Sequence, residues 1–141
     1  LSEKKIVVDN IYDIRAALSA WIADNITQVI LVTGGTGFTS RDSTPEAVKP
    51  LLDKTVDGFG EMFRQLSLAQ VGTSTIQSRA LAGMANNTLI FCLPGSNNAC
   101  RTAWEHIIVS QIDSRHSPCN FVAQLKSIDF DACLSRESEN D

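Results

Sequence analysis

The sequence predicts an α/β domain of three layers, a mostly parallel sheet with helices on both faces. Short β-branched runs alternate with segments whose apolar residues recur at helical spacing. Two of the β-like runs lead straight into loops rich in glycine or proline, each followed by a helix-start signal. The 141 residues suffice for one core, and neither a linker nor an internal repeat divides them.

Residues 5–9 (KIVVD) read as a buried strand ending in an acid, Asp9. Ile11, Ile14, Ala17, Leu18, Trp21 and Ile22 then form one helical face, which Asp24 and Asn25 end. Residues 28–32 (QVILV) make a second buried strand that runs into Thr33-Gly34-Gly35-Thr36-Gly37. Thr44 reads as an N-cap with Pro45 at the first helical position, opening a helix to about Leu52. Met62, Phe63 and Leu66 share a side of a helix over 58–68; Phe59, set between Gly58 and Gly60, is assigned to the core. Residues 80–84 and 88–93 flank Asn86-Asn87 as a hairpin. Ser96 then caps a helix from Asn97 to about Ser110. The polar, acidic stretch 127–141 is predicted to fray, leaving 1–126 as the domain.

Composition excludes several functions. A formal net charge of −4, with both signs interspersed, argues against nucleic-acid or membrane-surface binding, which need clustered Lys and Arg. Apolar runs fall far short of the roughly 20 residues of a membrane span, and no signal-peptide pattern opens the chain, so cytoplasm is the default expectation. Cys92, Cys100, Cys119 and Cys133 lack paired spacing and are expected to be reduced, with Cys92 in the core. The chain opens on Leu1 in an already strand-like stretch, which reads as a fragment or a processed product.

In an open α/β sheet, ligands bind beyond the carboxyl ends of the strands. Two loops occupy such positions. In the first, which runs from Thr33, Gly34, Gly35 and Gly37 let a ligand approach the main chain, whose amides can cradle an anion, and Thr36 adds a hydroxyl. A tight strand-to-helix turn accounts for such a loop equally well. It is neither a GxxxxGK(S/T) phosphate loop nor a GxGxxG dinucleotide loop. Asp42, just past it, suits a magnesium ion held against phosphates or a general base; a solvated acid at a helix start is the competing reading. The second loop, Pro94-Gly95-Ser96, reads either as a second anion or ribose contact or as a well-capped helix start. Asp9 could join Asp42 in a two-carboxylate magnesium site, against the alternative of an exposed turn acid. Trp104, His106 and His116 lack partners at diagnostic spacing and are assigned structural roles; Arg79 could reach a ligand phosphate or a neighbouring subunit, with a surface ion pair the favoured reading.

The set TGGTG (33–37), RDSTPEA (41–47), GFGE (58–61), QSR (77–79) and LPGS (93–96) resembles the MoaB/MogA molybdopterin-binding family, in order, over roughly residues 5–126. The resemblance implies that family's fold, with an earlier strand and helix lying before the point where this sequence begins. It implies binding of molybdopterin and its adenylylation with Mg-ATP, with a non-catalytic pterin carrier as the alternative. By motif, Asp42 matches the family's catalytic acid after the glycine loop, Asp9 a second functional acid, and residues 33–37 the substrate-binding backbone. A homotrimer or dimer of trimers is implied as well. Where the family often places a lysine after Pro-Gly-Ser, this chain has Asn97-Asn98.

Overall fold

The computed structural model describes residues 1–128; the tail prediction for 129–141 and Cys133 lie outside the described residues. In order come α1 (Ile11–Ala23), β1 (Val29–Thr33), α2 (Thr44–Val48), β2 (Lys54–Thr55), α3 (Asp57–Val71), β3 (Leu81–Ala85), β4 (Thr88–Leu93), α4 (Asn97–Ala103) and α5 (Val109–Gln111). A π-helical turn, Trp104–Ile108, joins the last two into one continuous rod.

The strands form a sheet in the order β1-β4-β3-β2. It is mixed. β1 and β4 pair parallel, while β3–β4 and β2–β3 pair antiparallel. The β1–β4 parallel pairing is the one from which both glycine-bearing loops depart. The expected hairpin is β3–β4, and Asn86 and Asn87 adopt φ of 46° and 57° at its turn, a conformation asparagine tolerates better than most residues. The two-residue edge strand β2 went unforeseen; its only mark in sequence is Lys54-Thr55, too short for any period to show.

β4 is buried along its whole length and divides the core. Leu89, Phe91 and Leu93 face α3 and the last rod, packing with Phe59, Phe63 and Ile108. Ile90 and Cys92 face α1 and α2, packing with Ile14, Leu18, Ala47 and Val48. Alternate side chains of a strand point to opposite faces, so a strand buried over six residues necessarily feeds two cores. This produces the expected three layers. Phe59 is core, as anticipated, in edge contact with Phe91 at 5.1 Å between ring centroids.

Two local expectations are corrected. Residues 5–9 form no strand: Ile6 is 97% exposed, and only Val7 packs against the α1 core. β propensity reports a side chain's fit to a pleated surface, whereas a strand also needs a neighbour for its backbone groups, and among the described residues no strand pairs with this run. Asp9 therefore sits at an exposed bend ahead of the Asn10 cap of α1, not at a strand end. Thr44 is not the side-chain cap of α2, whose cap position is Ser43; Thr44 is buried and turned toward the glycine loop.

Candidate functional site

Parallel pairing sets Thr33 opposite Leu93, so the loops after β1 and β4 leave the sheet side by side. The Gly34 amide donates to the Leu93 carbonyl at 2.9 Å, extending the ladder by one bond. A side chain on Gly95 would come within 3.6 Å of the Gly34 Cα, so the two loops touch. Gly34 and Gly35 have φ of 100° and 68°, a region that side chains other than glycine's rarely allow. Thr44 holds this bend closed. Its amide donates to the Gly35 carbonyl at 3.0 Å and its hydroxyl to the Gly34 carbonyl at 2.9 Å. A β-branched residue predicted to cap a helix thus secures the loop ten positions earlier.

Asp42 folds the far side of the loop. Its Oδ2 accepts from the Thr39 amide at 2.9 Å and the Thr39 hydroxyl at 2.7 Å. The Thr39 hydroxyl, then the Thr39 amide, hold its carboxyl below the usual range, with the Gly37 amide and Arg79 adding to the effect. The group is ionised at neutral pH and keeps lone pairs for another partner. A side chain on Gly37 would strike Asp42 Oδ2 at 2.8 Å, which explains glycine there by close approach alone.

The amides fall into two groups. Those of Gly34, Asp42 and Thr44 are committed to backbone acceptors, and that of Thr39 to Asp42. Those of Gly35, Thr36, Phe38 and Ser43 have no acceptor among the described residues. Thr36 is 4% exposed and contributes its carbonyl to the Arg79 amide at 3.0 Å. Across the cleft, Ser96 Oγ accepts from the Ala99 amide at 3.2 Å, the helix cap foreseen for it, and the Pro94 carbonyl accepts from Cys100 Sγ at 3.3 Å. Asn98 is tied to Gln70 at 2.9 Å.

Asp9 is not drawn into this network. Among the described residues its carboxylate has no hydrogen-bond or ion-pair partner. The C-terminal end of α1 meets the β3–β4 turn, where Asn86 donates to the Ile22 carbonyl at 2.7 Å, so its N-terminal end, with Asp9 just ahead of it, lies toward the loop end of the sheet. Arg15, one turn into α1, secures that end by donating to the Ala47 and Glu46 carbonyls at 3.0 and 2.9 Å. No group of three or more His, Cys, Asp or Glu is placed to hold a metal among the described residues.

The residue that sequence reasoning undervalued is Arg79. Besides the anticipated ion pair, with Glu46, its Nε donates to the Gly37 carbonyl at 2.8 Å and its Nη2 to the Asp42 carbonyl at 2.9 Å. Its guanidinium lies 5.1 Å from the centre of the exposed Phe38 ring. Nothing local to Gln77-Ser78-Arg79 signals partners more than thirty positions away. Trp104 was assigned a structural role and is part-exposed; it lines a cavity of about 390 Å³ with Leu31, Thr33, Leu93, Cys100 and Arg101, below the two loops. His106 and His116 line another, of about 350 Å³, between α3 and the last rod.

These features define a small α/β domain whose two glycine-bearing loops meet at the end of the β1–β4 parallel pair. The family described as "Probable molybdopterin binding domain" matches residues 1–114, and the chain belongs to this family. Molybdenum cofactor biosynthesis protein B of Escherichia coli K12 is 60% identical over 124 residues, covering 88% of this chain and 73% of that protein. Its counterpart in Staphylococcus aureus N315 is 48% identical, covering 77% of this chain and 64% of the relative, just under two thirds of its length. Among solved structures, a molybdenum cofactor biosynthesis protein B superposes with a TM-score of 0.75 at 40% identity, covering 79% of this chain and 70% of that one. The tungsten cofactor synthesizing protein MoaB of Pyrococcus furiosus gives 0.70 at 43% identity, over 77% and 68%. These similarities support a role in molybdenum cofactor biosynthesis. No helix among the described residues is long and apolar enough to cross a membrane.

Proposed function

We propose that this chain binds molybdopterin by its phosphate at the glycine loop and adenylylates it with Mg-ATP. The carrying observation is the uncommitted main-chain amides of Gly35 and Thr36, which follow directly on Gly34, the residue that the Pro94-Gly95-Ser96 loop touches at the end of the parallel pair. Backbone amides in such a bend favour an anion without a lysine. In the reaction, a phosphate oxygen of the pterin attacks the α-phosphorus of ATP. The bond from that phosphorus to the pyrophosphate oxygen breaks, AMP joins the pterin phosphate, and pyrophosphate leaves.

The chain's share of this chemistry is positioning and charge management. Asp42 is ionised and part-exposed beside the amides, and magnesium is commonly held by one or two carboxylates together with substrate phosphates. Asp42 fits that need, and Asp9, at the same end of the sheet, is the second carboxylate proposed. Bound magnesium would neutralise the charge of the triphosphate. The assembly proposed is a homotrimer or dimer of trimers, which sedimentation equilibrium measures directly.

A non-catalytic pterin-binding role is the second reading. It is favoured by Asn97-Asn98, where a cationic phosphate contact would be useful and where Asn98 is spent on Gln70. The two separate in one experiment. Incubation with molybdopterin and Mg-ATP is expected to release pyrophosphate, and Asp42→Ala to lower the rate by about a hundredfold or more. Because Asp42 also shapes the loop, Asp42→Asn is the matched control, keeping an acceptor for Thr39 while losing the charge. Pterin binding by calorimetry with no pyrophosphate release selects the carrier; no pterin binding rejects both.

A further inference from the structure

We propose that Arg79 is the positioning residue of the glycine-loop site, turning the Phe38 and Ser43 amides outward as additional donors to an anion without touching it. The inference rests on the anion-binding reading above and adds residues that no part of that reading uses. A trans peptide is planar, so a carbonyl and the following amide point in opposite directions. Arg79 holds three such carbonyls on its own side: Thr36 through its amide at 3.0 Å, Gly37 through Nε at 2.8 Å, and Asp42 through Nη2 at 2.9 Å. The amides that share those peptides belong to Gly37, Phe38 and Ser43, and each is directed away from the Arg79 donor that holds its carbonyl. The first lies against the Asp42 carboxylate; the other two have no acceptor among the described residues.

The guanidinium itself is consumed by this task. Its remaining Nη1 pairs with Glu46, and its face lies over the Phe38 ring at 5.1 Å. Only a planar fork with several fixed donor directions spans acceptors on Gly37, Asp42 and Glu46 together; an ammonium cannot. The side chain is 24% exposed, so its contacts are shielded better than an ordinary surface pair. It reaches the loop from the segment just before β3, whose position is set by the core through Ala80. Loop geometry is thereby anchored to the sheet before a ligand arrives.

The test compares wild type, Arg79→Lys and Arg79→Ala in two independent readouts. Hydrogen exchange without ligand follows the Asp42 and Thr44 amides, which are bonded inside the loop; both variants are expected to exchange there about tenfold faster or more, as loss of a charged hydrogen bond implies. Molybdopterin affinity, measured by calorimetry, is expected to fall about tenfold or more in both, with methylguanidinium restoring Arg79→Ala but not Arg79→Lys. Melting temperatures near wild type would separate local from global loosening, and if Arg79→Ala does not fold, Arg79→Lys carries the comparison alone. Wild-type exchange and affinity in Arg79→Lys would overturn the proposal, as would failure of methylguanidinium to restore a folded Arg79→Ala. If the wild-type protein does not bind molybdopterin, the functional reading fails, while exchange in the ligand-free loop still decides whether Arg79 positions it.

Discussion

Single residues matter in this loop because each performs a task that its neighbours cannot. Gly35 has φ of 68°, and a methyl group added there would run into the Thr44 hydroxyl. Gly35→Ala is therefore expected to destabilise the domain by more than about 1 kcal/mol and to abolish pterin binding. Urea denaturation and calorimetry check both. Gly58→Ala is the contrasting case. That glycine lies in the first turn of α3 with nothing within 4 Å of an added methyl, so stability should hold or rise by up to about 1 kcal/mol. The sequence marked the three loop glycines alike, yet their reasons differ: positive φ at Gly34 and Gly35, and the nearness of Asp42 at Gly37.

Among the elements, the end of α1 shows how a helix is closed by distant chain. Lys126 Nζ donates to the Ile22 and Trp21 carbonyls at 2.8 and 3.2 Å and stands 3.7 Å from Asp24. A cation at a helix C-terminus satisfies carbonyls that the helix leaves open and faces the negative end of its dipole. Lys126→Met should cost about 1–3 kcal/mol, read from the urea midpoint. Asp24 follows the helix and accepts from the Ile26 and Thr27 amides at 2.9 and 2.7 Å. Burial opposes its ionisation, but the Thr27 hydroxyl and amide, the Ile26 amide and Lys126 outweigh it, lowering the carboxyl from 3.8 to about 2. A folded value below the unfolded one gives stability that is present above about pH 4 and is lost as pH falls toward 2. Urea midpoints between pH 5 and 2 should fall steeply for wild type and less so for Asp24→Asn.

The whole molecule is organised about β4. Phe91 belongs to the core formed with α3 and the last rod, while Ile90 and Cys92 on either side of it serve the α1 core, so damage to this strand reaches both layers. Phe91→Ala removes the ring that meets Phe59 edge-on and should cost about 3–5 kcal/mol, lowering the urea midpoint with an unchanged slope. The proposed site is coupled to the same strand. Leu93 ends β4, receives the Gly34 amide and opens the second loop, so the two loops share whatever position β4 takes.

Much of this architecture was legible in the chain. The helical period from Ile11 to Ile22, the Asn86-Asn87 turn, the apolar run at 88–93 and the Ser96 cap are local signals, written by neighbouring residues and read from them. The two candidate loops were legible for the same reason, since glycine and proline act on their own backbone. What sequence could not decide is who lies beside whom. Residues 5–9 have strand composition but no strand partner, Thr44 bonds the glycine bend and not its own helix, and Arg79 finds acceptors at Gly37, Asp42 and Glu46. Composition and period determined the element types, because those depend on contacts a few residues apart. Pairing, orientation and the division of amides into committed and free were decided only by the tertiary structure, because each depends on groups that the chain brings together from positions far apart.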